Sequence, residues 1–297
     1  MVHPRSLFLA LPLLIALAVP TRTLGAQATR PASPSAVGAA RAPVLVLGEE
    51  DFRDRVYACW LGKNIGGTLG MPVEGSRDLH DFTFFTPVPT VPAANDDLDL
   101  QILWLKVLEE RGTRIGAVDL GDYWLRYVPV DWNEYGVGKM NMRRGFAPPL
   151  SGQYANQQWR DSNGAWIRSE IWACLAPGCP ALAARYAWED ACVDHGTAEG
   201  TYAELFTATL ESAAFVEKDR ERLLAIALSY IPRECGVARS VRAAMDAFKR
   251  GLSLREARAA VLEASKSTGW FQAPQNVAFT ILGWYYGDGD FGKSICA

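Results

Sequence analysis

From about Glu49 onward, apolar residues recur at the three- and four-residue spacing of a helix, and no stretch sustains the alternation of Val, Ile and Thr that marks a strand. The spacing predicts helices over 51–69, 97–110, 164–175, 179–193, 198–217, 219–230, 237–250, 253–265 and 274–286. Acidic residues open the first of these, as the positive end of a helix favours, and breaks such as Pro177-Gly178 and Ile231-Pro232 separate later ones. The pattern is all-α, a single compact multi-helix domain over 49–297, with long loops at 72–95 and 131–163 as places for function. No internal repeat of fixed period interrupts it.

The first residues read differently. Arg5 precedes an apolar run over 7–19, the charge and length of a signal peptide and too short to span a bilayer. Ala26-Gln27-Ala28 fits the small-x-small rule, so 1–28 is expected to be removed and the protein to be secreted or periplasmic; an uncleaved membrane anchor is the competing reading. Residues 29–48, rich in Pro, Ala and Ser, read as a flexible linker. No second long apolar run follows, so no membrane span is expected after cleavage.

Composition narrows the class. The 297 residues are 49% hydrophobic and 21% charged, with 30 basic and 33 acidic side chains for a net charge of −3. A disordered chain would be less apolar, and a dedicated nucleic-acid binder would be basic. Six cysteines in an exported chain permit disulfides, yet no Cys-x-x-Cys pair occurs and His3 and His80 fall in the signal peptide and a loop, so a Cys/His zinc site is not expected. Cys174 and Cys179, five apart across Ala-Pro-Gly, are either a disulfide or free thiols.

Candidate chemistry begins at Asn95-Asp96-Asp97-Leu98-Asp99, the start of a helix whose remainder reads as apolar on nearly every face and therefore buried. Asn95 suits an N-cap, and aspartates favour the helix dipole by roughly 0.3 to 1 kcal/mol each. Their mutual repulsion, roughly 0.8 kcal/mol per pair in water at about 5 Å, rises to about 3 kcal/mol at an effective dielectric near 20, so a sheltered cluster calls for a cation with hard oxygen preference: Mg²⁺, Ca²⁺ or Mn²⁺. Cap and metal site both remain open on these residues alone. Upstream, Gly62, Gly66 and Gly70 share one helix face, which implies either a close-packed helix or another close approach; the run is no phosphate loop, since it lacks that order and follows no strand. Glu74 stands on the loop just beyond.

Gly-x-x-x-Gly-Gly-Thr-Leu-Gly-x-x-x-Glu74, then Asn95-Asp96-Asp97, then Asn163-Gly164-Ala165-Trp166-Ile167-Arg168, then Asp194-His195-Gly196, resembles in order and spacing the ADP-ribosylglycohydrolase family. The resemblance implies a metal-dependent hydrolase that cleaves an N- or O-glycosidic bond to ADP-ribose or a related ribosyl compound, using two Mg²⁺ ions, with Mn²⁺ as substitute, at the mouth of a cleft. It places metal ligands at Asn95, Asp96 and Asp97, catalytic carboxylates at Glu74 and Asp97, and substrate contacts at Gly164, Ala165 and His195, with Arg168 as a helix anchor. His195 as a hydrogen-bonded histidine capping the preceding helix is the alternative. The sequence departs from the family at Asn95 and Asp194, where threonine is usual, and at Gly67, where aspartate is common. The family's closing Asp-Thr-Asp-Thr-like segment has no counterpart before Ala297, so the C-terminal metal-ligand set is expected to be missing from this chain. The partner is expected to be a small molecule or an ADP-ribosylated substrate. An all-α glycosidase acting on other saccharides, with tryptophans for stacking, and a non-catalytic ADP-ribose or nucleotide-binding relative are the other readings.

Overall fold

The computed structural model describes residues 46–83, 88–91 and 95–297; the expected signal peptide and most of the expected linker lie outside the described residues. In chain order the helices are α1 (Glu49–Gly70), α2 (Asp96–Arg111), α3 (Ala117–Tyr127), α4 (Asn133–Arg143), α5 (Leu150–Gln153), α6 (Glu170–Leu175), α7 (Pro180–Ala191), α8 (Glu199–Ala214), α9 (Arg220–Leu228), α10 (Gly236–Lys249), α11 (Leu254–Ser265), α12 (Ala273–Tyr286) and α13 (Phe291–Cys296). Short 3-10 turns cover Met71–Val73 and Trp166–Arg168. There is no strand among the described residues, and the fold is all-α.

Two apolar cores share one helix. Trp104, Trp124 and Trp172, from α2, α3 and α6, meet at the centre of the first, where the Trp104 and Trp124 rings lie edge to face at 5.9 Å. Helices α8 to α12 enclose the second. Ala208 of α8 faces the first core and Phe206 the second, while Leu205 touches both. In α10, Ala238, Ala244 and Ala247 are fully buried, and their small size lets α11 and α12 approach closely. Each large apolar side chain buried this way contributes roughly 1.5–3 kcal/mol.

Several expected features take another form. The helix expected over 164–175 is broken into the 3-10 turn and α6, because the buried Arg168 guanidinium donates to the Gly164 carbonyl and to Asp190 and Asp194, which holds the chain away from helical pairing. The loop expected over 131–163 contains α4 and α5; Gly136, Gly138 and few apolar residues hid α4. Helix α3 carries Leu120, Tyr123, Trp124 and Tyr127 at helical spacing, yet was absent from the expected set. Helix α2 is amphipathic rather than apolar all round: Trp104 and Val107 are buried, but Ile102 is 59% and Leu105 48% exposed.

The glycine face of α1 also differs from expectation. Phe291 lies 3.9 Å from where a Cβ on Gly62 would stand, but nothing lies within 4 Å of that place at Gly66 or Gly70. No helix packs there among the described residues. The face borders open space instead, and Leu69 is the one buried residue of α1.

Candidate active site

A cleft of about 1090 Å³ opens between the start of α2, the end of α1, the start of α4 and the segment before α12. Its volume lies at the top of the usual range for ligand pockets. Glu74, Asn95, Asp96 and Asp97 border it, so the structure brings together the carboxylates singled out in the sequence. Trp132, Trp270 and Phe271 supply flat apolar walls.

Local structure explains each placement. The Asn95 side chain caps α2, accepting a hydrogen bond from the Leu98 amide at 3.2 Å. Its carbonyl oxygen is therefore already engaged in the cap, and Gly67, where a Cβ would come within 2.8 Å of the Asn95 amide nitrogen, leaves room for it. Asp96 accepts a hydrogen bond from the Tyr135 hydroxyl at 2.9 Å. Glu74 follows the 3-10 turn, and Gly75, at φ 79°, turns the chain so that its backbone lies against the Trp270 ring. The Arg258 guanidinium donates to the Arg77 carbonyl at 2.7 Å, tying the Glu74 loop to α11.

Charge is crowded at Asp97. Burial pushes its carboxyl up to about 6; Lys63 opposes that rise, while Asp96, Glu170 and Glu74 add to it. Lys63, 3.9 Å from Asp97, donates to Glu170 at 2.9 Å and to the Ile167 carbonyl. Burial disfavours its charge, but Glu170 and Asp97 outweigh that and hold it protonated. The Gln101 amide extends the network, donating to Glu170 at 2.8 Å and to the Asp97 carbonyl at 3.1 Å.

Glu134, the second residue of α4, went unnoticed in the sequence because its segment read as loop. It borders the cleft although it is only 1% exposed, and its Oε2 hydrogen-bonds to nothing among the described residues. Burial raises its carboxyl above the usual range; His195 opposes this and Asp194 reinforces it. Burial of this kind disfavours the charged form of a carboxyl.

The residues expected at the substrate stand beside or behind this cleft, which Asn163 borders. Gly164, Ala165 and His195 do not border the cleft. A Cβ on Gly164 would overlap Glu134 Oε1, so its missing side chain makes room for that carboxylate. Ala165 is fully buried. His195 is also fully buried, with Nδ1 2.9 Å from Asp194 and Nε2 3.0 Å from Ser162, and both ring nitrogens are taken up by these partners. Asp194 is in turn held by Arg168 at 2.8 Å, and Arg168 by Asp190 at 3.0 Å. This buried network is a scaffold behind the cleft.

The family model for ADP-ribosylglycohydrolase matches residues 48–297. The chain belongs to the ADP-ribosylglycohydrolase family. A solved structure described as an ADP-ribosylglycohydrolase-related protein complex is similar to it with a TM-score of 0.55 at 21% identity, covering 83% of this chain and 80% of that one. At that identity the likeness shows the fold. No curated protein matches the chain. The family is one of glycohydrolases, and a small-molecule substrate agrees with a cleft of this size. Among the described residues no helix is long and apolar enough to cross a membrane.

The family's metal can be weighed against these side chains. Asp96 keeps one carboxylate oxygen free of the Tyr135 bond, and the repulsion recorded at Asp97 is what a cation would relieve. The donors are hard oxygens and fit Mg²⁺. Among the described residues no group of three or more His, Cys, Asp or Glu side chains stands together as a metal cage.

Proposed function

We propose that this protein is a metal-dependent glycosidic hydrolase acting on ADP-ribose or a related ribosyl compound, exported by the segment over 1–28. The observation that carries the reading is one cleft bordered by Asp96, Asp97 and Glu74 on one side and on another by the buried Glu134, whose Oε2 has no hydrogen-bond partner among the described residues. Breaking a bond to ribose passes through an oxocarbenium-like state and needs an acid for the leaving group and an oriented water. Glu134, whose carboxyl burial raises above the usual range, is placed to give the proton. Glu74, on the cleft rim, orients the ribose hydroxyls or the water. Asp96 and Asp97 would hold Mg²⁺, which when bound supplies Lewis-acid polarisation of the ribose oxygens. Tyr135 fixes Asp96, and Lys63 limits the charge at Asp97. Trp132 and Trp270 offer faces for the adenine ring.

The aromatic walls also favour a second reading, a glycosidase of other saccharides. Titration calorimetry with ADP-ribose, with and without Mg²⁺, separates the two. Binding that requires Mg²⁺ and is lost in Asp96→Ala, together with release of ribosyl product, supports the first. Absence of ADP-ribose binding with sugar released from a glycan panel replaces it by the second, and metal-independent binding without turnover leaves a binding protein. Recovery of a mature chain starting near Thr29 from the medium or periplasm tests export.

A further inference from the structure

Helix α1 carries Lys63 and leads into the Glu74 turn, yet few of its side chains are buried. Leu69 is its one buried residue, and its glycine face meets only the Phe291 edge at Gly62 within 4 Å among the described residues. Its neighbour on the other side is α6. The two helices meet at Lys63 and Glu170, 2.9 Å apart. Cys59 lies one helical turn before Lys63, and Cys174 one turn after Glu170. In an antiparallel pair of helices these offsets bring the two cysteines face to face. Cys174 is the group that acts most strongly on the Cys59 thiol, and Lys63 and Glu170 stand beside the two cysteines. Both are free thiols and partly exposed, so a small reagent can reach them. Cys179, the partner weighed for Cys174 in the sequence, is free and exposed at the start of α7.

We propose that Cys59 and Cys174 form a disulfide that clamps α1 to α6 when the protein meets an oxidising small-molecule disulfide. Cys174, as thiolate, attacks one sulfur of the reagent and expels the other as a thiolate, forming a mixed disulfide. Cys59 then gives up its proton, attacks the Cys174 sulfur and displaces the second reagent thiol. Two protein thiols are oxidised to one S–S bond, the reagent disulfide is reduced to two thiols, and the two protons pass to them. The order follows from Cys59, whose thiol is pushed up by the neighbouring Cys174, by burial and by the nearby Glu170, so it enters second. The bond closes a loop of about 115 residues. A loop that long restricts the unfolded chain strongly.

The whole chain is incubated with an oxidised and reduced glutathione mixture, remaining thiols are alkylated, and peptides are mapped without reduction. The expected result is one cross-linked peptide joining Cys59 to Cys174, reversed by dithiothreitol, with the thermal midpoint of the oxidised protein higher by on the order of 10 °C. Cys59→Ser and Cys174→Ser, each retaining a small polar side chain, lose that shift equally while their reduced midpoints stay near the parent's. Alkylation of both residues under oxidation, a Cys174–Cys179 cross-link, or glutathione left on either cysteine in the intact protein overturns the proposal.

Discussion

The carboxylate of Glu134 occupies the space that a side chain at Gly164 would need. A Cβ built there overlaps Glu134 Oε1 and lies 2.9 Å from the carboxyl carbon. The glycine of the Asn163-Gly164-Ala165 motif thus serves an acid on the opposite segment. Gly164→Ala is expected to displace Glu134 or the turn that carries Gly164, costing about 1–3 kcal/mol. Urea unfolding measures the loss, and an unchanged midpoint with Glu134 still titrating abnormally would remove the relationship.

Glu134→Gln keeps the shape and removes the proton. Ribosyl hydrolysis is expected to fall by roughly 10²–10⁴-fold while the thermal midpoint holds or rises, since an ionisable group no longer has to be buried. The sign on pH is distinct. Burial raises the Glu134 carboxyl in the folded state, so it favours the fold below its unfolded value and loses that advantage as pH rises through the folded one; over the same rise the acid gives up its proton, so the parent's activity should decline along its alkaline side. That decline is absent from the residual rate of the variant, as a pH–rate profile would record.

Asp194 titrates in the opposite sense. Burial alone would raise it, but Arg168 and then His195 bring it down to about 2. Its contribution, on the order of 2 kcal/mol, is complete above an unfolded value of about 3.9 and is lost as pH falls toward 2. Asp194→Asn should be less stable at neutral pH by about 3–5 kcal/mol, because Arg168 loses a buried partner, and should show a shallower loss between those pH values. Denaturant titrations at several pH values supply both numbers.

Tyr135→Phe removes the hydroxyl that orients Asp96. Mg²⁺-dependent ligand binding is expected to weaken by roughly 10-fold with little change in thermal midpoint, because the ring still packs on Trp124. Calorimetry across a Mg²⁺ series checks this, and equal binding to the parent would show that Asp96 needs no such support.

Much of this was legible in order along the chain. Helical spacing located most helices because each buries one stripe, and a stripe is a local pattern. The acidic start of α2 and Glu74 were legible too, since a capped helix and a glycine turn are short-range features. Helix α4 was not, because its Gly136 and Gly138 weaken the stripe, and so Glu134 passed unseen. Gly164, Ala165 and His195 were seen as motif residues, but their burial behind the cleft depends on segments distant in sequence.

The sequence by itself determined an all-α chain, its family and one carboxylate cluster, all carried by contiguous residues. The tertiary structure decided what those residues face. Packing of α4 against the Gly164 turn buries Glu134, and the buried Arg168 network draws His195 away from the cleft. Antiparallel contact of α1 with α6 pairs Lys63 with Glu170 and Cys59 with Cys174. Burial and opposing charge are properties of neighbours in space, and neighbours across such separations are set only when the helices close on their two cores.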